Sequence, residues 1–167
     1  MNDIKEFSIV LIAFYNLDFG IRHISSFLKA KGYPTYIILF NQLKTSEEIF
    51  NSDYLTASAS THKEYSEADI RLLIELLQQL KPRLIGISVT SLLLNTARRI
   101  TSEIKKSLDT IVVWGGIHPI IVPEECIQYS NIVCVGEGEI PMWELAENIR
   151  DGRQLSGIKN LWIKNNG

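Results

Sequence analysis

Two glycine clusters in the C-terminal half carry the residues best suited to chemistry. Gly115-Gly116-Ile117-His118-Pro119 is followed by Pro123-Glu124, and Gly136-Glu137-Gly138-Glu139 comes next. Each cluster directly follows an apolar run, 110–114 and then 132–135, that reads as a buried strand. Glycine at a strand end lets the backbone approach a ligand closely, because no Cβ intervenes. Ser88, Thr90 and Ser91 close a third run, 84–89. Strand ends of a parallel sheet share one edge, where α/β folds keep their ligands. Hydroxyls and bare backbone on that edge suit a large, flat, amide-fringed ligand better than a compact phosphate.

The chemistry indicated is binding. No nucleophile–base pair and no metal-ligand cluster stands out, so neither catalytic nor metal-ligating residues are expected in this chain. Glu137 and Glu139 could be taken as an acid–base pair. Glu139, just before Pro141, reads instead as an acidic residue at a helix start, where the partial positive charge of the helix favours it. Cys126 and Cys134 are eight residues apart and have no third partner. Cys134, inside a strand, reads as a small buried apolar residue.

The elements that must position these loops are legible from the hydropathy pattern. Runs 8–14, 84–89, 110–114 and 132–135 are apolar on both faces, as strands of a parallel sheet covered by helices are. A fifth strand, 35–40, follows the turn signal Gly32-Tyr33-Pro34. Between them lie helical patterns. Ile21, Ile24, Phe27 and Leu28 form one stripe closed by Gly32, and Ser66 with Asp69 resembles a capping box. The helix from Ser66 carries Ile70, Leu73, Ile74, Leu77 and Leu80 and is stopped by Pro82. Leu93, Ala97, Ile100, Ile104 and Leu108 mark a third helix, residues 124–129 a short one, and a last helix starts near Pro141 and ends before Gly152. This alternation predicts an α/β, doubly wound, flavodoxin-like (Rossmann-like) five-stranded parallel sheet in the order 2-1-3-4-5, with helices on both faces. Residues 157–164 read as a further, partial C-terminal strand, and Asn165-Asn166-Gly167 as the start of a hairpin turn. The expected division is a domain over 1–155 and the start of a linker to a downstream domain over 156–167. The long polar stretch 41–65 reads as a flexible loop or as a cover over the site.

A chain of 167 residues is long enough for one domain with a real core. The formal net charge is -2 with no basic stripe, which gives no reason to expect nucleic acid or an anionic membrane. No apolar run approaches the ~20 residues of a bilayer span, and the polar start, residues 1–6, lacks a signal-peptide core. The default location is cytoplasmic.

The usual tenants of such an edge fit poorly. A dinucleotide fold needs three spaced glycines after its first strand, whereas Tyr15-Asn16-Leu17-Asp18-Phe19-Gly20 offers one. The same turn lacks the Ser/Thr/Gly phosphate loop of a flavodoxin. A phospho-receiver needs an Asp at the end of its third strand, where this chain has Ser88-Val89-Thr90-Ser91.

In order and spacing, three motifs resemble a known family. Gly86-Ile87-Ser88 with Thr90 follows strand three, Gly115-Gly116 with His118-Pro119 and Pro123-Glu124 follows strand four, and Gly136-Glu137-Gly138-Glu139 follows strand five. Leu17 and Gly20, Leu28 and Gly32, Lys81-Pro82, and a closing Gly157-Ile158 with Asn160-Leu161 extend the likeness from about residue 8 to 160. Together they resemble the cobalamin-binding N-terminal domain of cobalamin-dependent radical S-adenosylmethionine enzymes.

The resemblance implies a cobalamin lying on the C-terminal strand edge. By position, Gly115, Gly116, Ile117 and His118 would meet the corrin or its tail, and Gly136, Glu137, Gly138 and Glu139 would border the nucleotide side. Ser88, Thr90 and Ser91 would contact the tail, while Asn16, Leu17, Asp18 and Gly20 would lie under the ring. Better-known cobalamin domains ligate cobalt through Asp-x-His-x-x-Gly. Here Asp18 is not followed by His at the required place, and His23 comes after Gly20, so ligation through that motif is not expected. The resemblance implies a lower face without a protein ligand and a base-off cofactor.

The iron-sulfur cluster and S-adenosylmethionine would belong to a downstream radical domain, since the three-cysteine motif is absent here. The function implied is a corrinoid-binding fragment of a radical methyltransferase or related enzyme. The alternative is a cofactor-free interaction or regulatory module of the same fold, in which Leu161-Trp162-Ile163 could form a homodimer or partner surface. Trp114 and Trp143 read as core packing, and His62 as a solvated side chain.

Overall fold

The structure, a computed structural model, describes residues 7–14, 18–40 and 65–164. Asn16, Leu17, His62, the polar stretch up to residue 64 and the turn signal at 165–167 lie outside the described residues.

Strand β1 (Ile9–Ala13) is buried along its whole length, as its unbroken apolar sequence requires. Helix α1 (Phe19–Ala30) begins where Asp18 accepts a hydrogen bond from the Ile21 N–H at 3.1 Å. It ends at Lys31, and Gly32 turns the chain at φ 90° into β2 (Thr35–Leu39). Helix α2 (Glu67–Leu80) opens with the expected capping box: Ser66 N–H donates to Asp69 at 2.8 Å, and Asp69 N–H to Ser66 Oγ at 3.1 Å. Lys81 then adopts the left-handed conformation before Pro82.

Strand β3 (Leu84–Ser88) leads through a 3-10 turn, Ser91–Leu93, into α3 (Leu94–Ser107). Next come β4 (Ile111–Gly115) and the short helices α4 (Ile117–Ile121) and α5 (Pro123–Cys126). Strand β5 (Ile132–Cys134), α6 (Glu139–Arg150) and β6 (Leu161–Ile163) complete the order. The sequence pattern did not reveal α4. Its Pro119 is the third helical residue, within the first turn, where a missing N–H costs little.

The sheet order is β2-β1-β3-β4-β5-β6. The first five strands are parallel and in the expected 2-1-3-4-5 order. The sheet is six-stranded and mixed, however, rather than a five-stranded parallel sheet with a loose C-terminal strand. Strand β6 pairs antiparallel with β5, placing Cys134 opposite Leu161 and Ile132 opposite Ile163. The reason lies in residues 151–160, which can extend roughly 33 Å. That is enough to climb the length of the sheet after α6, turn at Asn160 (φ 65°), and let β6 descend beside β5.

Alternate strand residues feed two cores. On one face Val10, Ile12, Ile85, Ile87, Val112 and Trp114 pack beneath α2 and α3. On the other, Ile9, Leu11, Leu84, Val113 and Cys134 pack beneath α1 and α6. Trp114 is wholly buried, donates its indole N–H to Thr101 Oγ1 at 2.9 Å and stacks on Tyr129. It is a core residue, as its sequence setting implied. Trp143 is half-buried on α6, with the Lys31 ammonium 4.3 Å from its ring centroid.

Candidate functional site

The layer between the sheet and the α1–α6 pair is incompletely filled. In β3 the residue that should point into this layer is Gly86, flanked in the strand by the buried Ile85 and Ile87. Its neighbours around the gap are Leu11, Val113 and Cys134 from the sheet, Ile21 and Ile24 from α1, and Met142 from α6. A β-carbon on Gly86 would come within 2.8 Å of Leu11 Cδ2 and 3.4 Å of Met142 Cε. The resulting cavity of about 300 Å³ is mainly apolar and opens at the C-terminal edge of the sheet.

The mouth is built from the strand-end loops. Of the residues singled out in the sequence, Asp18, Gly20, Ser88, Gly115, Gly116, Ile117, Gly136, Glu137, Gly138 and Glu139 line the cavity. The parallel sheet brings four separated loops to one edge. Asp18 does so while capping α1, so its carboxylate is already engaged by the helix. Gly116 sits in the left-handed region at φ 103°. A β-carbon there would lie 2.9 Å from the carbonyl oxygen and 3.0 Å from the nitrogen of Val89. Glu139 opens α6, and Gly138 just before it faces Ile24.

Three residues stand apart from the cavity. Thr90, Ser91 and His118 lie on the same edge but do not line it. Ser91 Oγ and His118 Nδ1 are 3.0 Å apart, and His118 Nε2 lies 4.0 Å from a Glu125 carboxylate oxygen. Thr90 Oγ1 and His118 Nε2 are buried without a hydrogen-bond partner among the described residues. His23 is exposed on α1 and also lies off the cavity.

Sequence reading missed the cavity's apolar walls, which look like ordinary core positions. Gly86 carried a signal, because glycine in the middle of a buried strand marks a gap or a close approach. Asn160 is a second addition: a β-carbon on Gly136 would meet its Nδ2 at 3.0 Å, so its side chain lies against that loop. Cys134 is a buried free thiol whose Sγ lies 3.7 Å from the Gly136 carbonyl and 3.9 Å from that of Glu137. Burial, above all, raises its pKa above the ordinary thiol value, which makes it a wall residue rather than a nucleophile. Among the described residues no cluster of His, Cys, Asp and Glu could hold a metal ion, and no helix is long and apolar enough to cross a membrane.

A glycine-bordered edge over a narrow apolar cleft fits a ligand with one wide part and one slender part. A volume of about 300 Å³ is at the small end of ligand pockets and takes only a fragment of a corrinoid. The backbone cradle at Gly116 is closed to any side chain. The residues present therefore fit a corrinoid whose ring rests on the edge.

Comparison with known proteins bears on the same point. Over 98 residues the chain is 32% identical to an uncharacterized methyltransferase of Pyrococcus horikoshii, covering 56% of this chain and 21% of that one. The radical S-adenosylmethionine methyltransferase TsrM from Kitasatospora setae, solved with cobalamin and an iron-sulfur cluster bound, superposes with a TM-score of 0.70 at 18% identity. The match covers 97% of this chain and 28% of TsrM. The cobalamin-dependent S-adenosylmethionine radical enzyme OxsB, with aqua-cobalamin bound, gives 0.71 at 17% identity over 98% of this chain and 21% of OxsB. At these identities the structural likeness shows the fold alone, and the chain spans less than a third of each relative. The sequence profile of the B12 binding domain matches residues 9–146, from the first strand to within the last helix. The chain belongs to the B12-binding domain family.

Proposed function

We propose that this chain holds a corrinoid with its ring on the C-terminal strand edge and its nucleotide tail in the cleft beneath Gly86. In this reading it is the cofactor-carrying part of a radical S-adenosylmethionine methyltransferase. The observation that carries the placement is the cleft itself: a gap in an otherwise filled core, opening among the loops of Ser88, Gly116 and Gly138. When bound, cobalamin supplies a cobalt centre able to carry a methyl group.

The chain's own residues bind and orient. Gly115, Gly116, Gly136 and Gly138 leave room for the ring, while Leu11, Ile24, Val113 and Met142 give the tail a dry, apolar slot. Held in that slot, the nucleotide base would be kept away from cobalt, which would leave the cofactor base-off. Neither His23 nor His118 lines the cavity.

The relatives' names and the edge itself support this reading of the parent activity. Phe19, Leu92, Ile117, Ile120, Ile121 and Ile140 are large apolar side chains left exposed, on the helices and the 3-10 turn that follow β1, β3, β4 and β5. A second domain carrying the iron-sulfur cluster and S-adenosylmethionine, closing over this face, would cover both them and the ring.

The test is to mix the chain with hydroxocobalamin, desalt it and record the visible spectrum of the protein fraction. Co-eluting corrinoid with a base-off band is the expected result. A base-on spectrum would overturn the tail placement, and colourless protein would overturn the cofactor assignment for the chain by itself.

A further inference from the structure

His118 is the one histidine buried among the described residues. Nδ1 is 3.0 Å from Ser91 Oγ, and Nε2 is directed toward Glu125, whose Oε2 is 4.0 Å away. Nε2 has no closer acceptor and is enclosed by protein. A carboxylate on that side favours the proton on Nε2, because the N–H dipole then points at negative charge. Nδ1 is left with a lone pair, and the Ser91 hydroxyl must donate to it. A hydroxyl has one proton to give, so Ser91 Oγ then has only acceptor capacity left.

Ser91 is exposed, on the same edge as the cavity mouth and two residues beyond Val89, whose backbone cradles Gly116. His118 is tied to that strand end as well, through its own N–H to the Val89 carbonyl at 3.2 Å. We propose that Ser91 is a ligand-contact residue that accepts a hydrogen bond from a primary carboxamide on the corrin periphery, with His118 and Glu125 as positioning residues that fix its hydroxyl as an acceptor. The proposal rests on the corrinoid reading above and deepens it by naming the group recognised. It also explains a buried imidazole that lines no cavity. An anionic ligand group at Ser91 would meet lone pairs and be disfavoured.

Two measurements test it. In the chain without corrinoid, long-range proton–nitrogen spectra of the His118 ring are taken. They should show His118 protonated on Nε2 alone, and a proton on Nδ1 overturns the proposal whatever the corrinoid results. The second compares affinities of the unaltered chain and Ser91→Ala for hydroxocobalamin and its separated monocarboxylates, each with one peripheral amide converted to carboxylate. Ser91→Ala should weaken cobalamin about five-fold, the scale of one neutral hydrogen bond. One monocarboxylate isomer, disfavoured by the unaltered chain, should bind the variant as well as cobalamin does. Equal weakening of every corrinoid, or no change in any, overturns the contact and leaves Ser91 as a brace for His118. If the tautomer is as expected but the unaltered chain takes up no corrinoid, the cofactor reading itself fails and the ligand assignment falls with it.

Discussion

Gly116 is packed against the backbone of Val89, so closely that a β-carbon would lie 2.9 Å from the Val89 carbonyl oxygen. The neighbouring Gly138 is different: its added β-carbon would meet Ile24 Cδ1 at 2.7 Å, the free end of a side chain that can swing aside. The same substitution should therefore separate the two positions. Gly116→Ala combines a positive φ with a backbone clash and should cost about 1–3 kcal/mol of stability. Gly138→Ala should cost under about 1 kcal/mol. Urea unfolding of both variants measures this, and equal losses would contradict the cradle.

Trp114 and Thr101 make a buried hydrogen bond on the opposite face of the sheet from the cleft. Thr101→Val keeps the shape but strands the indole N–H, for an expected loss of about 1–3 kcal/mol. Because neither Trp114 nor Thr101 lines the cavity, corrinoid affinity should be unchanged. A parallel loss of affinity would mean that the two faces are coupled.

Burial pushes the Cys126 thiol up from 9.0 to about 11. Between those values the unfolded chain has released a proton that the folded chain keeps, so stability falls as pH rises from about 9 to about 11. Tyr33, raised by burial and by its hydrogen bond to Glu147, acts in the same direction at the top of the window. Cys126→Ala should flatten the lower part of this decline in denaturation curves. An unchanged slope would show that the thiol is not the titrating group.

Strands β1, β3, β4 and β5 were legible because each run is apolar on both faces, β2 because it follows the turn at Gly32, and two of the motif loops because glycine clusters open them. Their convergence follows from parallel pairing alone. What the sequence hid was non-local. Gly86 marks a gap or a close approach, but only the fold shows that Leu11, Val113, Ile24 and Met142 meet around it to line one cavity. The reversed direction of β6 depends on residues 151–160 spanning the sheet and turning at Asn160, and no local pattern encodes that pairing. Ser91 and His118 are 27 residues apart, and only the fold brings them within hydrogen-bonding distance.

The most direct measurement compares two corrinoids on one variant. Gly86→Leu extends a side chain into the cleft between Leu11 and Met142, at an expected stability cost of about 1–3 kcal/mol. Equilibrium binding of cobalamin and of cobinamide, which lacks the nucleotide tail, is measured for the unaltered chain and the variant. If the tail occupies the cleft, the variant loses at least about ten-fold in cobalamin affinity, roughly 1.4 kcal/mol, while cobinamide affinity is unchanged. Cobalamin binding that survives the filled cleft would contradict the account.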